Sequence, residues 1–195
     1  MNYFPRYNNR NIYAIICFYY YIYVLSLTVA KLKILKYPDP FLKQVADLVE
    51  LSEINDDLRK VISDMFETMY ADNGGGLAAT QVGIKKRIFI MDGSEDHQNK
   101  IIAINPKIVE SKGIAIEEEG CLSFPGVSAK VKRHEWVKME AINEYGASFE
   151  IESSGYLGRC IQHEMDHLNG ITYLDHLSPL KRSIVEKKYY KYNKE

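Results

Sequence analysis

The amino-acid sequence predicts an α+β domain. Three observations carry that prediction: strand-like apolar runs crowd the middle of the chain, helical periodicity brackets them, and the strands and helices do not alternate as they do in a βαβ fold. With 195 residues, 46% of them hydrophobic, the chain can bury one sizeable core. Its 25 Lys and Arg against 26 Asp and Glu leave a formal net charge of -1, so there is no general electrostatic case for a nucleic-acid binder. Cys17, Cys121 and Cys160 are an odd and sparse set for a disulfide scaffold, and a reducing compartment is expected.

Residues 11–30 contain no charged side chain, while Arg6 and Arg10 precede them and Lys31, Lys33 and Lys36 follow. The run is long enough to cross a bilayer as one helix, although its many tyrosines favour the interface. A basic start and small residues near Thr28 and Ala30 also suit a signal peptide or an organellar leader. A start set too far upstream and a packed structural segment are the remaining readings. Residues 1–30 are therefore expected to be a hydrophobic extension outside the domain, able to associate with a membrane if they act as an anchor.

The domain opens at residues 36–40, KYPDP, a proline-stiffened segment. In residues 54–70, Ile54, Leu58, Val61, Ile62, Met65, Phe66 and Met69 follow helical spacing, with Asp56 and Asp57 suited to the first turn. This predicts a core-packing helix in which the two methionines are filler. Residues 74–83, GGGLAATQVG, lack the Gly-Lys-Ser/Thr element of a phosphate loop. Their glycines instead allow the backbone to approach a substrate, with the Gln81 amide at the edge of the pocket. Strands are predicted at 87–91, 101–104 and 128–142, and at 147–152 after the turn segment NEYG.

The chemistry concentrates in residues 161–170, IQHEMDHLNG. On a helix, His163 and His167 share a face and can turn imidazole nitrogens towards one metal, and the adjacent Glu164 can act as a base on water held there. Asp166 projects from another face and suits a role in orienting its neighbours. The thiolate of Cys121, in EEEGCLSFPG at 117–126, would complete a Cys, His, His set and leave one tetrahedral position open. Cys160 is the rival ligand but lies three residues before His163, where it packs the helix. Two other readings stay open at this point. One is a zincin-like metallopeptidase with a downstream third ligand such as His176; the other is an inactive, metal-stabilised binding protein.

Residues 181–195 hold six Lys or Arg against two Glu. Ile184, Val185, Tyr189 and Tyr192 can form one face of a final helix, leaving a basic surface that is either solvated or turned towards RNA, for example on a ribosome.

Taken together these residues resemble peptide deformylase. Gly74, residues 76–79 and Gln81 match its GxGLAAxQ element, residues 119–123 read EGCLS, and residues 162–167 read QHExDH, in the family's order. The similarity covers about residues 31–180. It implies a compact single domain with mixed and antiparallel sheets around a central helix that carries HExxH. It also implies co-translational removal of the formyl group from N-formylmethionyl nascent polypeptides, releasing formate and a free amine.

By resemblance, Cys121, His163 and His167 are metal ligands and Glu164 is the general base and acid. The Gln81 side chain and the Leu122 backbone N–H stabilise the oxyanion. Iron(II) is the metal the family implies, with zinc, nickel or cobalt in some members, although the ligand chemistry alone favours zinc. Gly74, Gly75, Gly76 and Leu77 flank the substrate, and Gly120 and Ser123 shape the loop that carries Cys121. Glu119 is expected to form a buried ion pair with Arg133. Tyr156, Leu157, Cys160 and the face of His163 are expected to surround the methionine side chain, and Asp166 to support the site. A monomer in the bacterial cytoplasm is expected, with organellar import, inner-face membrane anchoring and ribosome contact through the basic end as further expectations. The chain departs from the family at Gly75, where many relatives have isoleucine, and near Ser128, where many have a substrate-side arginine. Both departures predict altered affinity with the chemistry retained.

Overall fold

The computed structural model describes residues 31–94 and 96–194, and the expectations for the hydrophobic extension lie outside them. The described residues form seven strands: β1 (Gly76–Ala78), β2 (Ile88–Met91), β3 (Ile101–Lys112), β4 (Ala115–Gly120), β5 (Ser128–Arg133), β6 (Trp136–Ile142) and β7 (Ser148–Ser154). Three α-helices accompany them: α1 (Asp56–Ala71), α2 (Gly155–Leu168) and α3 (Pro179–Tyr192). Strands pair antiparallel in two sheets, one of five strands in the order β1-β2-β3-β6-β7 and one made of β4 and β5.

Alternation along β2 explains how the layers assemble. Its side chains point to opposite faces of the sheet in turn. Phe89 and Met91 join Ala103, Val137, Met139 and the α2 residues Ile161 and Leu168 in one core. Ile88 and Ile90 join Ile104, Leu77 and the α1 residues Ile62, Met65, Phe66 and Met69 in another. The large sheet thus separates α1 from α2. Met65 and Met69 are fully buried, as the helical spacing predicts.

Helix α1 starts where Asn55 caps it, its side chain accepting from the Leu58 amide at 3.0 Å, with Asp56 and Asp57 in the first turn to complement the helix dipole. Strand β3 runs eight residues beyond the expected 101–104, with a register shift between Ile104 and Lys107 that accommodates Asn105, at positive φ, and Pro106. The expected single strand over 128–142 divides between the sheets after Arg133, because the backbone of His134 is held by the side chain of Gln162 from α2. Strand β4, absent from the sequence reading, lies in the acidic run before Cys121.

Helix α3 is docked on the domain through part of its expected apolar face. Val185 and Tyr189 are buried in a third core with Phe124, Val131, Tyr173 and Leu174. The other two residues of the expected apolar face, Ile184 and Tyr192, stay 46% and 61% exposed. Among the described residues no helix is long and apolar enough to cross a membrane.

Candidate metal centre and active site

Helix α2 places His163 and His167 one turn apart, with ring centroids 5.0 Å from each other. Cys121 arrives from the connection between β4 and β5, whose strands are paired from Gly120–Ser128 back to Ala115–Arg133. Its sulfur lies 3.2 Å from His167 Nε2. One ligand atom from each of Cys121, His163 and His167 falls within 4.8 Å of the others, and no other group of this kind occurs among the described residues.

The donor set fits a divalent transition metal. His163 turns Nδ1 towards Glu119 Oε2, at 3.1 Å, which leaves Nε2 for a cation. Burial and the neighbouring His163 hold the His167 pKa well below its ordinary value, which favours the neutral ring. At His163 burial is outweighed by hydrogen bonding to Cys121 and Glu119, which push its pKa well above the ordinary value, so a metal would displace a proton from that ring. A thiol sulfur and two imidazoles form a soft, nitrogen-containing triad of the kind that binds zinc or iron.

Glu119 is the electrostatic centre of the support. Arg133 Nε and Nη2 donate to its two oxygens at 2.9 and 3.0 Å, Arg159 Nη1 donates at 2.8 Å, and His163 completes the set. Burial opposes ionisation here, but hydrogen bonds from His163 and Arg133 outweigh it and hold the carboxyl well below the usual carboxylate range. The buried Glu119–Arg133 pair is therefore present. Arg159 was missed by the sequence reading, although its position one turn before His163 on α2 places it on the same face.

Glu164 is 3% exposed, and Oε2 has no hydrogen-bond partner among the described residues. Burial pushes its pKa up to about 7, against the lowering effect of His163. That is a suitable value for a group that takes up and releases a proton near neutrality. Gly76 makes room for it: a Cβ there would stand 2.5 Å from Glu164 Oε1 and 2.7 Å from Cys160 Sγ.

The Gln81 amide is fixed at both ends. Its oxygen accepts from the Ala78 amide at 2.8 Å, while Nε2 donates to Ser123 Oγ at 3.2 Å and lies 3.5 Å from Cys121 Sγ. The NH2 group is thereby turned towards the cluster. Leu122 is anchored through its carbonyl, which accepts from Lys36 Nζ at 2.6 Å.

Gln81, Glu119, Cys121, Leu122, His163 and Glu164 line a cavity of about 420 Å³ that also includes Gly74, Gly75, Gly76, Gly120, Tyr156 and Cys160. A Cβ on Gly75 would lie 1.8 Å from the Tyr156 hydroxyl, so the phenol fills the space that a larger residue 75 would take. Leu157 is corrected: it packs over Gly93 and against the sheet-facing core of α2, and does not line the cavity. Leu77 is a fully buried core residue, and Ser123 is buried beneath Gln81. Ser128 lies outside the cavity lining and donates to Glu118 at 2.7 Å.

Asp166 faces away from the cluster, accepting from Arg133 Nη1 at 2.5 Å and lying 2.6 Å from His176 Nε2. His176 is thereby engaged elsewhere, and the protease-like alternative loses its downstream ligand. Cys160 is outside the triad too, its sulfur 3.7 Å from the Gly75 carbonyl, and burial pushes its thiol pKa up.

A family model described as polypeptide deformylase matches residues 31–183. Among curated relatives, a peptide deformylase of Thermodesulfovibrio yellowstonii is 49% identical over 162 residues, covering 82% of this chain and 97% of that protein. One from Neisseria meningitidis is 48% identical over 165 residues, covering 85% and 98%. Among solved structures, the peptide deformylase of Legionella pneumophila aligns with a TM-score of 0.81 at 43% identity, covering 85% of this chain and 96% of that one. The Synechococcus elongatus enzyme in complex with actinonin aligns at 0.78 and 39%, covering 85% and 89%.

Proposed function

The chain belongs to the peptide deformylase family, and from that premise we propose how its residues divide the work of hydrolysing the formyl group from the amino terminus of a nascent polypeptide. Cys121, His163 and His167 hold the metal. When bound, the metal supplies a Lewis acid that makes water a nucleophile at neutral pH and polarises the formyl oxygen. Glu164 takes the proton from the attacking water and delivers it to the departing nitrogen, so that an amine leaves with formate as the other product. The Gln81 NH2 group and the Leu122 N–H stabilise negative charge on the formyl oxygen, and the bonds that fix Gln81 mean little reorganisation is needed. Glu119 keeps the His163 ring in place.

The observation that carries this reading is the convergence of the Cys121, His163 and His167 ligand atoms beside a buried Glu164 whose Oε2 has no partner. The test is anaerobically prepared, iron-loaded protein incubated with formyl-Met-Ala-Ser, with formate release measured against an acetylated control peptide. Formate above the control is expected, and it should vanish on chelation and return with added metal. Equal signals from the two peptides would overturn the reading.

Iron(II) is the physiological metal we propose, with zinc, nickel or cobalt able to occupy the same donors; metal analysis of protein purified without oxygen decides between them. The methionine side chain is assigned to the part of the cavity bounded by Gly75, Tyr156, Cys160 and the face of His163. We place the enzyme as a monomer in the bacterial cytoplasm, a reading supported by the bacterial relatives; a plant deformylase structure at 32% identity keeps organellar import as the alternative. Exposed Lys181, Lys187, Lys188 and Lys191 give α3 a basic surface suited to ribosomal RNA. Fractionation with N-terminal sequencing tests anchoring through residues 11–30: a full-length chain in membranes supports it, and a shortened one outside membranes opposes it.

A further inference from the structure

The metal-bearing connection between β4 and β5, residues 121–127, is where two parts of the molecule meet. Its upper side supplies Cys121 to the metal cluster and Leu122, Phe124, Pro125, Gly126 and Val127 to the cavity wall. Its underside rests on tyrosines. Phe124 stacks on Tyr37 at 4.9 Å between centroids and meets the edges of Tyr173 and Tyr189 at 5.1 and 5.8 Å. Tyr189 donates its hydroxyl to the Tyr37 carbonyl at 2.7 Å, and Tyr37 donates its own to Glu186 at 2.8 Å. Glu186 in turn accepts from Arg182 at 3.0 Å. Two turns of α3 are thus joined to the segment beneath the loop.

The last residue of α3 makes a separate contact. Tyr192 lays its ring on Gly126: a Cβ there would fall 2.4 to 2.5 Å from three ring carbons, and Gly126 has φ +78°, a conformation that favours glycine. The helix end is held in register by Asn193, whose Nδ2 and backbone amide both donate to the Tyr189 carbonyl, at 2.8 and 3.0 Å. Tyr192 is 61% exposed, so it adds little to the buried core, yet its ring covers a residue of the cavity wall.

We propose that α3 belongs to the substrate-handling apparatus, with Tyr189 and Tyr192 as positioning residues that hold the 124–127 wall of the cavity from below. Neither touches the reacting atoms. They act through Phe124 and Gly126, and the kinetic part of the proposal rests on the deformylase reading. A side chain that fixes one wall of a binding cavity acts mainly on substrate binding and leaves the proton transfers at Glu164 alone.

Two readouts test this, using full-length metal-loaded protein. In Y192A, the KM for formyl-Met-Ala-Ser should rise roughly tenfold while kcat changes far less, with metal content unchanged. Y192F, which keeps the ring, should restore the wild-type KM. Independently of turnover, amide hydrogen exchange in residues 122–127 should accelerate in Y192A and not in Y192F. An unchanged exchange rate in Y192A, or kcat and Tm falling together with KM unchanged, would overturn the proposal. A wild-type protein that releases no formate would sink the deformylase reading, and loop exchange would then decide whether Tyr192 holds the wall.

Discussion

Helix α2 has two polar faces, built from neighbouring residues, that are finished differently. On one side Gln162 uses its whole amide, accepting from the His134 N–H at 2.9 Å and donating to the His134 and Gly158 carbonyls, both also at 2.9 Å. Asp166 on that side is met by Arg133 and His176. On the other side Glu164 Oε2 and His167 Nδ1 are buried without partners among the described residues. Buried polar atoms are normally paired because leaving one unpaired costs about 1–3 kcal/mol. The difference teaches where this helix gives up stability: the saturated face holds the fold, while on the other face Glu164 Oε2 is left free for a proton and His167 turns Nε2 towards Cys121, 3.2 Å away.

Substitution at adjacent positions should separate the two faces. The largest effect is expected from E164Q, which keeps the shape and removes the proton carrier: kcat/KM should fall by about 10³–10⁴, with metal retained. Its Tm should hold or rise, since a buried carboxylate is replaced by a neutral group. A large drop in Tm would show that Glu164 also supports the fold and would blur the contrast.

Arg133 serves both sides, through Glu119 and through Asp166, so R133A should cost about 3–5 kcal/mol in urea unfolding by leaving buried carboxylates unpaired. Q162L, on the saturated face, should cost about 1–3 kcal/mol while leaving formate release nearly unchanged. Activity lost with stability intact would invert the comparison at that residue. G75A should displace Tyr156 and raise KM roughly threefold, a difference that should shrink in a Y156L background.

The smallest effect lies away from both faces. Burial of Asp175 opposes ionisation, but hydrogen bonds from Lys43 and from the Thr172 amide and hydroxyl outweigh it and lower its pKa in the fold. A depressed folded value means that Asp175 stabilises above its unfolded pKa of about 3.9 and loses that contribution as pH falls through the folded value. D175N should flatten the stability profile in that acid window alone, as followed by Tm against pH.

How much of this was readable in advance follows the range of the forces involved. The helical spacing of α1 and the i, i+4 histidines of α2 are local patterns, and they placed Met65, Met69, His163 and His167 correctly. Cys121 was accessible because a third ligand of the right chemistry was required. Strand β4 was not, because its acidic residues have low strand propensity and it exists by pairing with β5, Glu117 opposite Val131. Arg159 was missed because a charged side chain reads as exposed until its partner is known, and Leu157 was misplaced because the start of α2 sets which side chain faces the cavity. The tyrosines of α3 carried an apolar signal, but nothing local told that Tyr192 would meet Gly126.

Glu119 has a consequence for how this site can change over time. One carboxylate from β4 is shared by guanidinium groups from β5 and α2 and by an imidazole from α2. Replacing any one of the four alone strands charge or a hydrogen-bonding group in the interior. A neutral path between two working versions must therefore alter several positions at nearly the same time. The arrangement behaves as a ratchet on sequence drift, which leaves residues such as 75 and 156, joined only by shape, as the freer places for the chain to diverge.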